Sequence, residues 1–171
     1  MALAVDHQAL KTKILDFLKA NNSLWDNGAR DDPLFFRSME LGSPDANKIA
    51  ARPPPALWIT ADDILEDMSP ASGNPTTINS VEFMKSIVHY LIIFVAQERD
   101  SQRVEERLDT LQMEIIETLR QRFRLANDVG NDWLVNEMMP VQIGVLNRNL
   151  TGKNQQGRVI RVRLETYLGL D

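Results

Sequence analysis

The densest group of carboxylates in the sequence is Asp62, Asp63, Glu66 and Asp67. Oxygen ligands of this kind suit a hard cation, provided that the chain folds them together. The stretch lacks the glycine and the alternating acidic spacing of a calcium-binding loop. We therefore interpret it as a solvated acidic turn, with a metal site as the lesser alternative.

Acid–base and nucleophilic catalysis have few candidate residues here. The chain has no cysteine, and its two histidines, His7 and His89, lie far apart on different predicted elements. Thr151-Gly-Lys resembles the end of a phosphate-binding loop, but that motif requires a glycine at position 147, where this chain has Asn147. We therefore predict no catalytic, metal-binding or cofactor-binding residue, and interpret the histidines as one surface residue and one residue at the edge of the core.

Basic side chains gather near the C-terminus of an otherwise acidic chain, whose 19 Lys and Arg stand against 24 Asp and Glu for a formal charge of -5. The set consists of Arg148, Lys153, Arg158, Arg161 and Arg163. It suits a solubilising face, a contact with an acidic patch on a neighbouring subunit, or a contact with DNA phosphates. The acidic total and the scarcity of neighbouring aromatic residues argue against a dedicated nucleic-acid-binding module.

The sequence contains the patterns of two amphipathic helices. The first is predicted from about residue 7 to 21, where Leu10, Ile14, Phe17 and Leu18 recur at helical spacing and Asp6 can cap the start. The second, from about Ser101 to Arg124, is the clearest element in the sequence. Its apolar face consists of Val104, Leu108, Leu111, Ile115, Leu119 and Phe123.

Four strands are predicted: Ala56 to Thr60, Val81 to Gln97, Trp133 to Leu146, and Arg158 to Leu168. The first half of the second is also compatible with a helix, because its apolar run fits either period. The last shows clean alternation, with Ile160, Val162, Leu164, Thr166 and Leu168 on one face and Arg161, Arg163, Glu165 and Tyr167 on the other. With its predecessor it forms a hairpin with a polar tip at 147–157.

The pattern predicts a single α+β domain over 1–171, in which a small, mostly antiparallel sheet of about four strands packs against the N-terminal helix and the long amphipathic helix. Residues 26–55 carry turn signals throughout and are predicted to form a long Pro-rich loop or arm, either flexible or ordered by a partner. Phe35, Phe36 and Arg37 of this arm join the basic set as candidate interaction residues. The most apolar stretch, 87–96, is too short to cross about 30 Å of hydrocarbon, so no membrane partner is expected.

The order of these elements resembles the tail-terminator proteins of tailed bacteriophages. The resemblance rests on the leading helix, the Pro55-Ala-Leu-Trp-Ile strand, the long apolar strand, the helix over 102–124 and the closing Gly157-Arg-Val-Ile-Arg-Val-Arg-Leu-Glu-Thr-Tyr strand. It lies in the architecture more than in a motif, it is closest from Ala56 onward, and the 26–55 segment departs from it.

The resemblance implies a structural virion protein of the tail and neck, assembled in the host cytoplasm, and not an enzyme. Such proteins form a hexameric ring on the end of the tail tube, stop its growth, and provide the surface on which neck or head-completion proteins dock. The implied partners are further copies of the chain, the tube and neck proteins, and the sheath protein as a further candidate, with DNA only in passage. Another head-to-tail joining protein is the nearest alternative, and a small nucleic-acid-binding module using the C-terminal basic strand is the alternative of a different class.

Overall fold

The computed structural model describes residues 5–29, 32, 34–67, 75–78, 81–121, 133–146 and 155–169. Its elements in chain order are α1 (His7–Asn21), β1 (Ser38–Leu41), α2 (Ala46–Ala51), β2 (Ala56–Asp67), β3 (Pro75–Ile78), β4 (Val81–Gln97), α3 (Ser101–Gln121), β5 (Trp133–Val145) and β6 (Gln155–Gly169). The predicted α+β class is confirmed.

All the described strands belong to one sheet with the order β1-β2-β4-β6-β5, and β3 pairs with the beginning of β4. The pairs are antiparallel, except that β1 runs parallel to β2. Within the described residues the sheet has six strands where the sequence predicts about four, because β1 and β3 have four residues each and are too short to show a period. The edges of the strand order are β1 and β5.

The centre of the sheet is the pair β4 and β6, which are in register from Phe83 opposite Gly169 to Gln97 opposite Gln155. The β4 strand is continuous over 17 residues, which excludes the helical interpretation of its first half. The predicted hairpin of the last two strands is confirmed, since β5 pairs antiparallel with β6.

Both long helices cover the same face of the sheet. The helix α1 begins after Asp6, whose Oδ1 accepts a hydrogen bond from the Ala9 amide at 2.9 Å, as the sequence predicts. Its buried residues are Leu10, Ile14, Leu15 and Leu18. The buried residues of the predicted apolar face of α3 are Val104, Leu108, Leu111, Ile115 and Leu119. Phe123, the last predicted member of this face, lies outside the described residues. The buried residues of both helices meet strand side chains that include Tyr90, Ile92, Ile160, Val162 and Leu164, and together these residues form the main core.

A smaller apolar cluster lies on the opposite face of the sheet. There Ile49 of α2 packs with Trp58, Ile93, Val95 and Leu146. The strand β1 and the helix α2 both fall within the predicted 26–55 arm, and both are short. The backbone of this region is bonded to the rest of the chain, because the amide of Phe36 donates to the Leu24 carbonyl and that of Arg37 donates to the Pro55 carbonyl.

Candidate interaction surface

The arginines of β6 do not share one face, because successive side chains of a strand point in opposite directions. Arg158 has the parity of Ile160 and Val162 and lies on the face that α3 covers, whereas Arg161 and Arg163 lie on the opposite face. The expectation that all three form one exposed basic face is therefore wrong for Arg158. Arg148 and Lys153, the other two members of the basic set, lie outside the described residues.

Arg158 is held by the polar edge of α3. Its Nη1 lies 2.7 Å from Asp109 Oδ1 and donates to Gln112 Oε1 at 2.7 Å, and its Nη2 donates to Glu105 Oε2 at 2.8 Å. Burial lowers the pKa of this guanidinium, but its hydrogen bonds and charge interactions with Asp109 and Glu105 outweigh burial, and the pKa is raised overall. Arg158 therefore acts as a clamp between β6 and the helix.

Arg161 forms the second arginine site, on the other face of the sheet. Its Nη2 donates to Asp62 Oδ1 at 3.1 Å, its Nε also faces the Asp62 carboxylate, and its Nη1 donates to Gln142 Oε1 at 2.9 Å. The Asp62 side chain is only 2% exposed, whereas that of Arg161 is 37% exposed. The guanidinium thus links β2, β6 and β5, with its charge matched by a buried carboxylate.

The acidic cluster is not the solvated turn that the sequence predicts. Residues 62–67 belong to β2, which continues seven residues beyond the predicted end at Thr60. Within this segment Asp62 is buried against Arg161, whereas Asp63, whose amide donates to Asp62 Oδ1 at 2.7 Å, is exposed. In the described part of the chain, no group of three or more His, Asp or Glu side chains is placed to hold a metal ion.

Arg163 is also matched by a carboxylate, because its Nη2 donates to Glu165 Oε1 at 3.0 Å on the same face. Each described arginine of the basic set therefore contacts at least one Asp or Glu. Phosphate binding would have to compete with these carboxylates.

The candidate residues of the arm lie in different environments. Phe36 is fully buried in the main core, so its side chain fills the interior and does not form part of an exposed contact surface. Phe35 and Arg37 are partly buried. The exposed apolar residue next to them is Leu34, which is 42% exposed.

The two histidines lie on opposite faces of the sheet. His7 Nδ1 is 2.8 Å from the hydroxyl of Tyr90, whose ring is in the main core. His89, the neighbour of Tyr90 in β4, points to the other face. His7 is therefore partly buried and contacts the core through Tyr90.

Neither a protein-family model nor a curated protein matches this chain. Among solved structures, one similar chain comes from the sheath/tube terminator of an extracellular contractile injection system, PVC, in its extended state, determined by cryo-EM. The two chains share 14% sequence identity with a TM-score of 0.47 over 98% of this chain. This chain spans 58% of the length of the other, and nothing about its function follows from a likeness at this level.

Sequence reasoning missed the exposed apolar residues of β5. Met139, Val141, Ile143 and Val145 are between 39% and 73% exposed on this edge strand. The signal that could have found them is the stretch 138–146, which carries no charged residue although it closes one side of the sheet. None of the described helices is long and apolar enough to cross a membrane.

Proposed function

We propose that the chain is a tail-terminator subunit, a structural protein without catalytic activity that forms a ring on the end of a tail tube, stops its growth and joins it to the neck. The observation that carries the proposal is the order of the elements along the chain: α1, β2, β4, α3 and the β5–β6 hairpin. This is the order on which the resemblance of the sequence to tail terminators rests. All of these strands belong to one sheet, and both helices pack on it.

A closed ring needs two different, complementary surfaces on each subunit, because its contacts are heterologous. One surface is the outer stripe of α3, formed by Glu106, Thr110, Met113 and Glu117, all of them exposed. These residues are spaced by three or four along the helix and so share one side of it. The stripe presents two carboxylates to solvent.

The complementary surface is the basic tip of the hairpin, which carries Arg148 and Lys153 in the sequence. In the proposed ring this tip contacts the outer stripe of α3 on the next subunit. Opposite charges on two sides of an interface fix the pairing and speed association, and they disfavour contacts between like surfaces. The same logic makes the contact sensitive to salt.

The test is a charge swap followed by light scattering on a size-exclusion column. Reversing the tip with Arg148→Glu and Lys153→Glu is expected to abolish the ring, and adding Glu106→Lys and Glu117→Lys is expected to restore it. The matched control is Asp16→Lys, which reverses an exposed carboxylate on α1 and leaves the ring unchanged. Rings that persist after reversal of the tip would refute this contact.

The terminator role is tested separately, by negative-stain images of tubes assembled from the tube protein of the same particle. The expected result is density at one end of each tube and shorter tubes as the amount of this chain increases. Tubes that grow to the same length with and without the chain would refute the role. Binding to the neck without binding to the tube would favour the alternative of another joining protein.

A further inference from the structure

The free edges of the sheet differ in how they are protected. Unpaired edge strands bind further strands unless charge, proline, a bulge or shortness prevents it. At one edge, β1 has only four residues, and Glu40 within it is paired at 2.7 Å with Arg52, the residue that follows α2. That edge is both short and charged.

The β5 edge, which we define as residues 142–145, belongs to a strand of 13 residues and contains no charged residue, proline or register shift. Irregularities in the pairing of β5 with β6 occur between Val135 and Glu137 and between Pro140 and Gln142, and beyond them the ladder is regular. Gln142, Ile143, Gly144 and Val145 pair in succession with residues 161 to 158 of β6. Their outward backbone groups, about half of those in any edge strand, face away from β6.

A groove lies beside the β5 edge, between it and α3. Its volume is about 200 Å³, and its walls are Ile116, Arg120, Pro140, Val141, Gln142 and Ile143. Ile143 lies opposite Ile160 and therefore on the face of the sheet that α3 covers. A strand added to the β5 edge would place every second side chain into this groove.

Among the described residues that line this groove, Arg120 is the one that carries a charge. It is exposed, and within the described residues its guanidinium makes no ion pair or hydrogen bond. The other arginines near this part of the sheet, Arg158 and Arg161, are both matched by carboxylates. The groove is therefore complementary to an extended segment that carries one negative charge among apolar side chains.

We propose that the β5 edge and its groove bind an extended segment of a partner protein, which adds as a strand beside β5 and pairs a carboxylate with Arg120. The segment carries apolar side chains at alternate positions, which enter the groove, and its backbone bonds to the β5 edge. This is strand addition, in which backbone bonds provide affinity and side-chain pockets provide selectivity. The site is distinct from the ring contact proposed above and does not depend on it.

A second copy of the chain is a poorer occupant. Its own β5 has no carboxylate anywhere in 138–146, so pairing of two β5 edges would leave both Arg120 side chains without a counter-charge. A pairing of four residues also buries far less than the roughly 1,200 Å² at which stable interfaces begin. A segment tethered within an assembly does not need that area, because tethering raises its effective concentration.

The test uses short blocked peptides of alternating threonine and valine in which one glutamate occupies successive positions. They are titrated into the full chain labelled with ¹⁵N. At least one peptide is expected to bind with a Kd on the order of 0.1–1 mM and to shift the amide signals of 142–145 and the side-chain signal of Arg120. The same peptide with a central proline, which cannot donate the required hydrogen bond, is expected not to bind.

Variants locate the site. Ile143→Lys, which places a charge on the edge, is expected to weaken binding about tenfold or more, and the more exposed Val145→Lys provides a second edge variant for which folding is not at risk. Leu34→Lys is the matched control, since Leu34 and Ile143 are 42% and 45% exposed. Arg120→Glu is expected to reverse the preference, so that a peptide with lysine in place of glutamate binds better.

Three outcomes would overturn the proposal. The first is the absence of saturable shifts with every peptide of the series, and the second is equal binding of the proline peptide. The third is a dimer, measured by light scattering, that Ile143→Lys or Val145→Lys dissociates, because it would assign the edge to a second copy of the chain.

Discussion

Arg158 of β6 and Asp109 of α3 approach to 2.7 Å, and this contact fastens the long helix to the inner strand of the C-terminal hairpin. Glu105, one turn earlier on α3, accepts a hydrogen bond from Nη2 of the same guanidinium. The pKa of Arg158 is raised in the folded chain, so its contribution to stability is fully present below the unfolded pKa and is lost only above the folded one. The arginine therefore adds no pH dependence near neutrality.

Removing this clamp should cost a modest amount of stability. We expect Arg158→Met to lower the free energy of unfolding by about 1–2 kcal/mol, because charged hydrogen bonds are lost while both carboxylates remain in contact with water. The measurement is urea denaturation at neutral pH followed by circular dichroism. Arg103→Met is the control, since the Arg103–Asp100 pair is exposed on both sides, and we expect it to change stability by less than about 0.5 kcal/mol. Equal losses would show that the α3 contacts of Arg158 contribute nothing.

The sequence predicts best those elements in which a periodic pattern repeats over many residues. The helices α1 and α3 repeat an apolar stripe over four or more turns, and β6 alternates cleanly, so their buried faces follow from the pattern. The start of β6 does not, because it lies at Gln155, three residues before the predicted Arg158. The same alternation already separates Arg158 from Arg161. Grouping them by charge alone overlooked their parity in the strand.

The features that it does not predict depend on residues far apart in the chain. The acidic residues at 62–67 suggest a solvated turn because the partner of Asp62 is Arg161, 99 residues later. Phe36 lies in a segment rich in turn signals, yet its ring enters the core formed by α1 and α3. The local sequence indicates neither the Asp62–Arg161 contact nor the burial of Phe36, because both depend on which elements become neighbours in the fold.

The Asp62–Arg161 pair should respond unequally to loss of its two members. We expect Arg161→Met to destabilise the fold by about 3 kcal/mol, because it leaves a carboxylate that is only 2% exposed without a counter-charge. Asp62→Asn should cost about 1 kcal/mol, because the amide can still accept a hydrogen bond and Arg161 is partly in water. Unfolding in urea measures both, and the double variant should recover part of the larger loss. A larger loss for Asp62→Asn than for Arg161→Met would contradict this view of the pair.

Gly157 and Gly144, on neighbouring strands, should differ in their tolerance of a methyl group. A Cβ at Gly157 would lie 2.7 Å from Leu146 Cδ2 and 2.9 Å from the Phe94 carbonyl oxygen. We therefore expect Gly157→Ala to lower the free energy of unfolding by about 1–3 kcal/mol through overpacking. At Gly144 no atom lies within 4 Å of such a Cβ, so Gly144→Ala should be neutral or stabilising by up to about 1 kcal/mol. Thermal melts of the two variants side by side decide the matter, and similar melting temperatures would show that the contact at Gly157 relaxes freely.

The two sides of α3 should also separate cleanly by mutation. Leu108 is 1% exposed in the main core, whereas Met113, five residues later, is 65% exposed on the outer stripe. We expect Leu108→Ala to cost about 2–5 kcal/mol, because the lost methyl groups leave a cavity that α1 and the sheet cannot close completely. Met113→Ala should change the free energy of unfolding by less than about 0.5 kcal/mol. Denaturation in guanidinium chloride measures both, and Leu108→Asp, which would bury an unpaired carboxylate, should not fold at all. A folded Leu108→Asp chain with native helix content would mean that α3 can leave the sheet, and the core assigned to this face would then be wrong.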